Sequence, residues 1–326
     1  MEENEIRKVD LFDRYLELVK GDIAKIFRNR SCWLDIPCIA CESNDYEVEF
    51  EKEGFQYRRC LQCETLYVSP RPTIDEIRAF YREGKSNIFW IKEFFPPVME
   101  TRREKIFRPR AKFVVENFPL KTGCSVADVG AGFGIFLDEI KRIRPDLETV
   151  AIEPSLEMAK ICRKNGHRVF ECFLEDLEGE NLFDFVVSFE LLEHVYNPQE
   201  FVSKIYQILK PGGWLFITTL NSLGFDILIL GKHSKATSPP HHLNFLNPNS
   251  LRMLMEKCGF IDVKVLTPGK LDWSIVENAY LRGEVQLDKW WRSVIKHGNQ
   301  KAKESLQAWI ANHNFSSHMW GIGKKL

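Results

Sequence analysis

The chain has 326 residues, of which 45 are Lys or Arg and 46 are Asp or Glu, and 44% are hydrophobic. This length fits one large domain plus a small one with a sizeable core, and a net charge of −1 argues against a protein built to coat nucleic acid or an anionic membrane. No run approaches the about 18 consecutive apolar residues of a membrane span, and the charged start, M-E-E-N-E-I-R-K, lacks the apolar stretch of a secretory signal. Nine cysteines are present: four in two C-x-x-C pairs, with Cys32, Cys124, Cys162, Cys172 and Cys258 scattered. That usage points to a reducing, cytoplasmic setting and a metal site rather than a disulfide framework.

Residues 1–35 read as a helical segment. Ile6, Val9, Leu11, Phe12, Leu16, Val19, Ile23 and Phe27 follow near-helical spacing, interrupted by Gly21, so one or two amphipathic helices are expected to cover the next domain. Residues 36–72 read as a zinc ribbon. Cys38 and Cys41 form the first pair, Cys60 and Cys63 the second, and 18 residues separate the inner two. Between them two alternating runs flank Gly54, the pattern of a β-hairpin. Two such knuckles present four thiolates tetrahedrally, as structural Zn²⁺ prefers, and leave no open position for catalysis. A redox pair or a ribbon that has lost its metal are the alternatives; the first would want a thioredoxin-like context that is absent.

Residues 73–109 read as a helical connector, opening with a helix over Ile74–Tyr81 capped by Thr73. A basic run, T-R-R-E-K-I-F-R-P-R-A-K, starts in it and continues past residue 109, with Arg102, Arg103, Lys105, Arg108, Arg110 and Lys112. These residues can meet a phosphate-bearing substrate, or form a solvated helix face that also packs Ile106, Phe107 and Phe113.

From residue 110 to the end an α/β domain is expected. Apolar runs at 124–129, 149–152, 168–172, 184–189 and 213–219 alternate with helical patterns, which implies a parallel sheet with helices on both faces. Ligands of such sheets bind beyond the carboxyl ends of the strands. The first run ends V-A-D-V-G-A-G-F-G, from Val126 to Gly134, where Gly130, Gly132 and Gly134 suit a tight turn that a ligand approaches closely. Glu153 ends the second strand, where a carboxylate can take both hydroxyls of a ribose. Glu175 and Asp176 follow the third, where an acid can accept from an adenine amino group. I-D-V-K-V-L-T reads as a sixth strand and H-M-W-G-I-G-K as a seventh. Between them residues 273–313 form a helical insertion rich in tryptophan, which can pack, lid a pocket or pair subunits in a homodimer.

Together D-V-G-A-G-F-G from Asp128, Glu153, the F-D-x-V strand followed by E-L-L-E-H-V, and L-K-P-G-G-W-L resemble the class I S-adenosylmethionine (SAM)-dependent methyltransferases. The resemblance implies a Rossmann-like seven-stranded sheet with its last strand antiparallel. It also implies SAM binding by Asp128, Gly130, Gly132, Gly134, Glu153, Pro154, Glu175, Asp176 and Phe189. The ribbon followed by L-Y-V-S-P-R-P-T, S-P-P-H-H-L-N-F-L-N-P-N-S-L-R-M-L-M-E-K-C-G-F at 238–260 and S-S-H-M-W-G-I-G-K-K at 316–325 are similar to bacterial methyltransferases of carbohydrate pathways.

E-L-L-E-H, Glu190 to His194, is expected to open the helix after the fourth strand, with Glu190, Glu193 and His194 on one face. Two carboxylates and an imidazole suit Mg²⁺, Mn²⁺ or Fe²⁺. The spacing is similar to that of ubiquinone-pathway O-methyltransferases and of small-RNA methyltransferases, which implies metal-assisted methylation of a diol oxygen. His241 or His242 can supply the further histidine that the RNA enzymes add. In a metal-free enzyme His194, His241 or His242 can serve as the base for an alcohol acceptor.

The expected function is methyl transfer from SAM to a small polar acceptor, a hydroxyl of a sugar or nucleotide sugar. An RNA-modifying methyltransferase and a non-enzymatic SAM-binding protein are the competing readings. Near-zero net charge counts against the first and the intact E-L-L-E-H-V and His-His segments against the second.

Overall fold

The computed structural model describes residues 3–326; Met1 and Glu2, part of the charged start and of the expected 1–35 segment, lie outside the described residues. In chain order the strands are β1 (Tyr46–Lys52), β2 (Phe55–Cys60), β3 (Leu66–Val68), β4 (Ser125–Val129), β5 (Glu148–Ile152), β6 (Arg168–Phe170), β7 (Phe183–Phe189), β8 (Leu209–Leu220), β9 (Asn244–Phe245), β10 (Ile261–Leu266) and β11 (His318–Lys324). They form one sheet ordered β1-β2-β3-β9 and another ordered β10-β11-β8-β7-β4-β5-β6. The chain divides into two units. One comprises the residues up to Met99 with Leu220–Ser250 and Leu266–Met319, the other Glu100–Thr219 with Leu251–Val265 and Trp320–Leu326. Among the described residues no helix is long and apolar enough to cross a membrane.

In the first unit β1 and β2 make the expected hairpin, with Tyr46 opposite Cys60 and Lys52 opposite Phe55. Gly54 turns it at φ 77°. The helix after the ribbon runs Ile74–Glu83 and starts where Thr73 and Glu76 form a reciprocal capping box. Segments distant in sequence complete this unit. β9 pairs antiparallel with β3, setting Phe245 against Leu66. Arg71, from S-P-R-P-T, is buried and donates to Asn244 Oδ1 at 2.8 Å. The tryptophan-rich stretch folds as helices Asp272–Leu281, Lys289–His297 and Gln300–Asn312. Trp273 and Trp291 pack there with Phe225, Leu230 and Ile310, whereas Trp290 is exposed.

The seven-stranded sheet belongs to the second unit. β4, β5, β6, β7 and β8 pair in parallel. β4 is buried along its whole length, as a central strand covered on both faces must be. β11 runs antiparallel to β8: Gly212 bonds Lys325 at one end and Asn221 bonds Ser317 at the other. Flanking helices Arg108–Asn117 and Ile135–Ile143 supply Ala111, Val114, Phe136 and Ile140 to a core with Val126, Phe185 and Phe216. The strand order reverses at β4, with β5 on one side and β7 on the other. This places the ligand crevice of such a sheet beyond the carboxyl end of β4.

Two buried acids tie the pieces of the first unit together. Asp272 Oδ1 accepts from Ser317 N–H at 2.6 Å and Oδ2 from Ser316 Oγ and Gln307 Nε2, each at 2.7 Å. Ser317 Oγ lies 2.7 Å from Asp272 Oδ1 and also bonds Asp226 Oδ1. One hydroxyl hydrogen cannot fully satisfy both carboxylates, so two buried acids compete for one donor. Burial, with the charge of Asp272, raises the pKa of Asp226 against the opposing hydrogen bond from Ser317. The folded state therefore holds a proton that the unfolded chain releases at lower pH. Stability from this group is greatest at acidic pH and is lost as pH rises through the folded value. Asp226→Asn keeps the protonated hydrogen-bond pattern without a titrating group. In thermal melts it should raise Tm relative to the wild type at pH 8 and not at pH 4; a lower Tm at pH 8 contradicts a raised Asp226 pKa.

Candidate active site

The turn after β4 is built from backbone that only glycine adopts cheaply. Gly130, Gly132 and Gly134 have φ of 73°, 56° and 70°. A Cβ on Gly130 would stand 2.7 Å from Leu191 Cδ2, and one on Gly134 2.9 Å from Cys162 Sγ. Gly132 differs: its nearest neighbour would be Met158 Sδ at 3.8 Å, so its missing side chain leaves room for a ligand. Gly132 N–H donates to Glu153 Oε2 at 2.8 Å, and Ser155 N–H to Glu153 Oε1 at 2.8 Å. The carboxylate at the end of β5 thereby fixes the turn at the end of β4.

Asp128 and Glu153 are both buried. Burial first, and then the charge of Glu153, raises the pKa of Asp128, opposed by Arg110. Burial also raises Glu153, opposed by the N–H groups of Ser155 and Gly132. Two desolvated acids beside an open glycine cradle suit a ligand bearing a cation and hydroxyl donors. SAM, with its sulfonium, ammonium and ribose hydroxyls, has that donor set. The structure brings together Asp128, the glycines and Glu153. Pro154 is exposed next to Glu153, and Glu175 and Asp176 are exposed in a one-turn helix, Leu174–Asp176, after β6. Phe189, at the end of β7, packs edge-on against Phe136 and Phe216 at 4.9 and 5.2 Å.

E-L-L-E-H does not open a helix. Residues 192–194 form a turn, Glu190 has φ 51°, and the next helix begins at Pro198. The cause lies downstream. Asn197 Oδ1 accepts from Gln199 and Glu200 N–H, and Pro198 occupies the first helical position and holds the residue before it extended. Side-chain positions are therefore set by hydrogen bonds rather than by a shared helix face. Glu190 Oε1 accepts from Arg110 Nη2 at 2.8 Å and Thr218 Oγ1 at 2.7 Å, and Glu193 Oε2 accepts from Thr219 Oγ1 at 2.7 Å. Glu193 and His194 offer metal-ligating atoms within 4.8 Å of one another. A non-glycine residue held at positive φ beside such groups is the kind of strain that functional sites retain.

Thr218 and Thr219 carry no signal in the sequence, and Arg110 stands out there only as one of a basic run open to a phosphate-bearing substrate or to packing. Arg110 lies in the basic run, whose members are largely paired within the second unit. Arg103 pairs with Asp138 at 3.0 Å, Arg108 with Glu139 at 2.9 Å and Arg110 with Glu190. Arg110 is buried and its guanidinium lies 4.8 Å from the Phe189 ring centroid. His167 is held by Thr149 and Asp138 at 2.8 and 2.9 Å.

The remaining candidates lie in the first unit. Cys38, Cys41, Cys60 and Cys63 offer four sulfurs all within 4.8 Å of one another, with Cys38–Cys63 and Cys41–Cys60 at 3.4 Å. A regular tetrahedron with Zn–S bonds of about 2.3 Å has sulfurs about 3.8 Å apart, so the donor set fits one zinc ion. Asn247 Nδ2 donates to Cys63 O at 2.6 Å and Ser222 Oγ to Glu64 O at 3.0 Å, which steadies the second knuckle. His241 is buried, its Nε2 lies 2.6 Å from Tyr15 Oη, and Phe80 packs edge-on at 4.6 Å. Burial lowers its pKa to about 3, so the ring stays neutral. His242 Nδ1 bonds the Ala236 carbonyl and must carry the hydrogen there, which makes Nε2 the nitrogen able to take a proton or a cation.

A family model described as a methyltransferase domain matches residues 99–265, about half of the chain. The chain belongs to this methyltransferase-domain family, and its sheet is that of the class I SAM-dependent methyltransferases. The mitochondrial ubiquinone biosynthesis O-methyltransferase of Mus musculus is 32% identical over 240 residues, covering 62% of this chain and 64% of that protein. The ubiquinone biosynthesis O-methyltransferase of Xanthomonas oryzae is 32% identical over 145 residues, 40% of this chain and 59% of that one. The chain thus spans less than two thirds of the length of these curated relatives. Haemonchus contortus phosphoethanolamine N-methyltransferase 2, solved with SAM, aligns with a TM-score of 0.51 at 21% identity over 80% of this chain and 62% of that chain, which shows a shared fold.

Removing the guanidinium at Arg110 leaves Glu190 with only part of its hydrogen bonding and Asp128 without its cation. Arg110→Met should cost about 1–3 kcal/mol in urea unfolding, and Arg110→Lys should recover part of it. A loss indistinguishable from zero contradicts a structural role for this pair.

Proposed function

We propose that the protein is a SAM-dependent O-methyltransferase acting on a small polar acceptor, a hydroxyl of a sugar or nucleotide sugar. The observation that carries the reading is the open cradle at Gly132, bounded by the buried carboxylates of Asp128 and Glu153 at the reversal of strand order. When bound there, SAM supplies a methyl group on a sulfonium. Asp128 faces its cationic end and Glu153 takes its ribose hydroxyls, while Pro154, Phe189, Glu175 and Asp176 complete the nucleoside side. The relatives' names support oxygen as the methylated atom. The carbohydrate acceptor rests on the resemblance of the ribbon and of the 238–260 and 316–325 segments. A hydroxyl acceptor in ubiquinone biosynthesis is the second reading, favoured by what those relatives are called.

In-line displacement needs the acceptor oxygen aligned and its proton removed. We assign the base to His194, because the neutral, Tyr15-bonded His241 is better suited to holding its surroundings in place. Glu193 and His194 are the proposed ligands of a Mg²⁺ or Mn²⁺ ion, with Glu190 positioned by Arg110 and Thr218; such an ion lowers the pKa of a bound hydroxyl. Cys38, Cys41, Cys60 and Cys63 are proposed to hold one structural zinc, whose contribution is to folding.

Purified protein should carry about one zinc per chain by elemental analysis, and Cys60→Ser should lower both zinc content and Tm. With a panel of sugar, nucleotide-sugar and quinol acceptors, formation of S-adenosylhomocysteine should accompany a methylated hydroxyl. His194→Ala and Glu193→Gln should each lower turnover by roughly 10²-fold or more while SAM affinity stays within about twofold. Full turnover in both variants overturns the assignment of this turn to the acceptor.

A further inference from the structure

Within the first unit lies a cavity of about 550 Å³, lined by one face of the helix Val9–Ile26, by the end of the β1–β2 hairpin and by the 232–239 loop. Its cations are not equally matched. Lys235 pairs with Asp13 at 3.0 Å and Glu284 at 3.4 Å, and Lys20 with Glu17 at 2.9 Å. Those contacts engage three of the four carboxylates of the wall. Lys52 is different. It is half-buried, and its Nζ donates to the Ser234 carbonyl at 2.9 Å and to Thr237 Oγ1 at 3.5 Å. Among the described residues no carboxylate lies within ion-pair distance of it, although Glu53 is its chain neighbour. Lys232 and His233 stand exposed on the same wall and likewise form no ion pair among the described residues.

A desolvated ammonium without a matched anion is costly unless something brings negative charge to it. Burial lowers the pKa of Lys52 to about 8, opposed by Glu53 and reinforced by Lys20 and Lys235. Lys52, Lys232 and His233 together favour a ligand with more than one negative charge and several acceptor oxygens. The volume exceeds what a bare phosphate needs and falls in the range of small-molecule sites.

We propose that this cavity binds the phosphoryl end of a small phosphorylated ligand, with Lys52 as its buried anchor and Lys232 and His233 as its outer contacts. The site does not depend on the methyl-transfer reading, and nothing in that reading assigns these residues. Lys52 bridges the hairpin end and the 234–237 loop, so an anion seated on it also links those two segments. Pyrophosphate carries the charge and oxygens of such a ligand without a nucleoside or sugar and so probes the anchor alone.

The test is calorimetric titration of the full chain with inorganic pyrophosphate at physiological ionic strength, where weak surface pairing is screened. Saturable binding at one site per chain is expected, weakened tenfold or more in Lys52→Gln. The double variant Lys232→Gln with His233→Gln, which alters only exposed side chains, should weaken it at least threefold and serves if Lys52→Gln fails to fold. Lys264→Gln, on β10 in the other unit, should leave it unchanged. Absence of saturable binding by the wild type overturns the proposal, as does binding by both cavity variants within twofold of the wild type. SAM titrations of the same samples separate this result from the methyl-transfer reading.

Discussion

The hydrogen bond from the Gly132 backbone to Glu153 joins the tips of two neighbouring parallel strands, and the ligand-facing geometry of the second unit depends on it. Without the carboxylate the turn has no fixed partner across the crevice. Without a glycine at φ 56° the N–H does not reach it in this form. Burial does the rest. Asp128 sits behind the turn with its pKa raised, so the crevice offers two acids whose charged forms want a cationic partner. Arg110 moderates that demand from the side, and by binding Glu190 it also sets the first residue of the turn after β7.

The first unit is organised by proximity of a different kind. Four sulfurs held this close cannot all become thiolates without a cation among them. Around them the chain returns repeatedly. β9 adds to β3, Arg71 reaches Asn244, and Asn247 reaches Cys63. A metal at the knuckles would therefore influence the 241–247 segment through backbone and side-chain contacts, and His242 lies in that segment. The Tyr57 hydroxyl, which donates to the His242 carbonyl at 2.9 Å, extends the same connection from the hairpin.

The central strands were legible because a buried parallel sheet writes itself as short apolar runs: β4, β5, β7 and β8 fall where those runs fall. The four cysteines and the Thr73 cap were legible for similar reasons, since spacing and capping chemistry are local. E-L-L-E-H reads as helical because its own residues favour a helix, whereas Asn197 and Pro198 place the start further on. β9 is two residues long and has no periodicity to read; it exists because β3 offers it an edge. Arg110 with Glu190, and Tyr15 with His241, are separated by 80 and 226 residues. No local pattern announces a pairing of that range, so each became visible only with the fold.

Calorimetric titration of the full chain with SAM probes the glycine cradle and its two acids most directly. Saturable binding at one site per chain is predicted, weakened by roughly tenfold in Glu153→Ala, where the turn loses its anchor and a hydrogen-bond acceptor. Failure of the folded wild type to bind SAM or S-adenosylhomocysteine would contradict the assignment of this crevice.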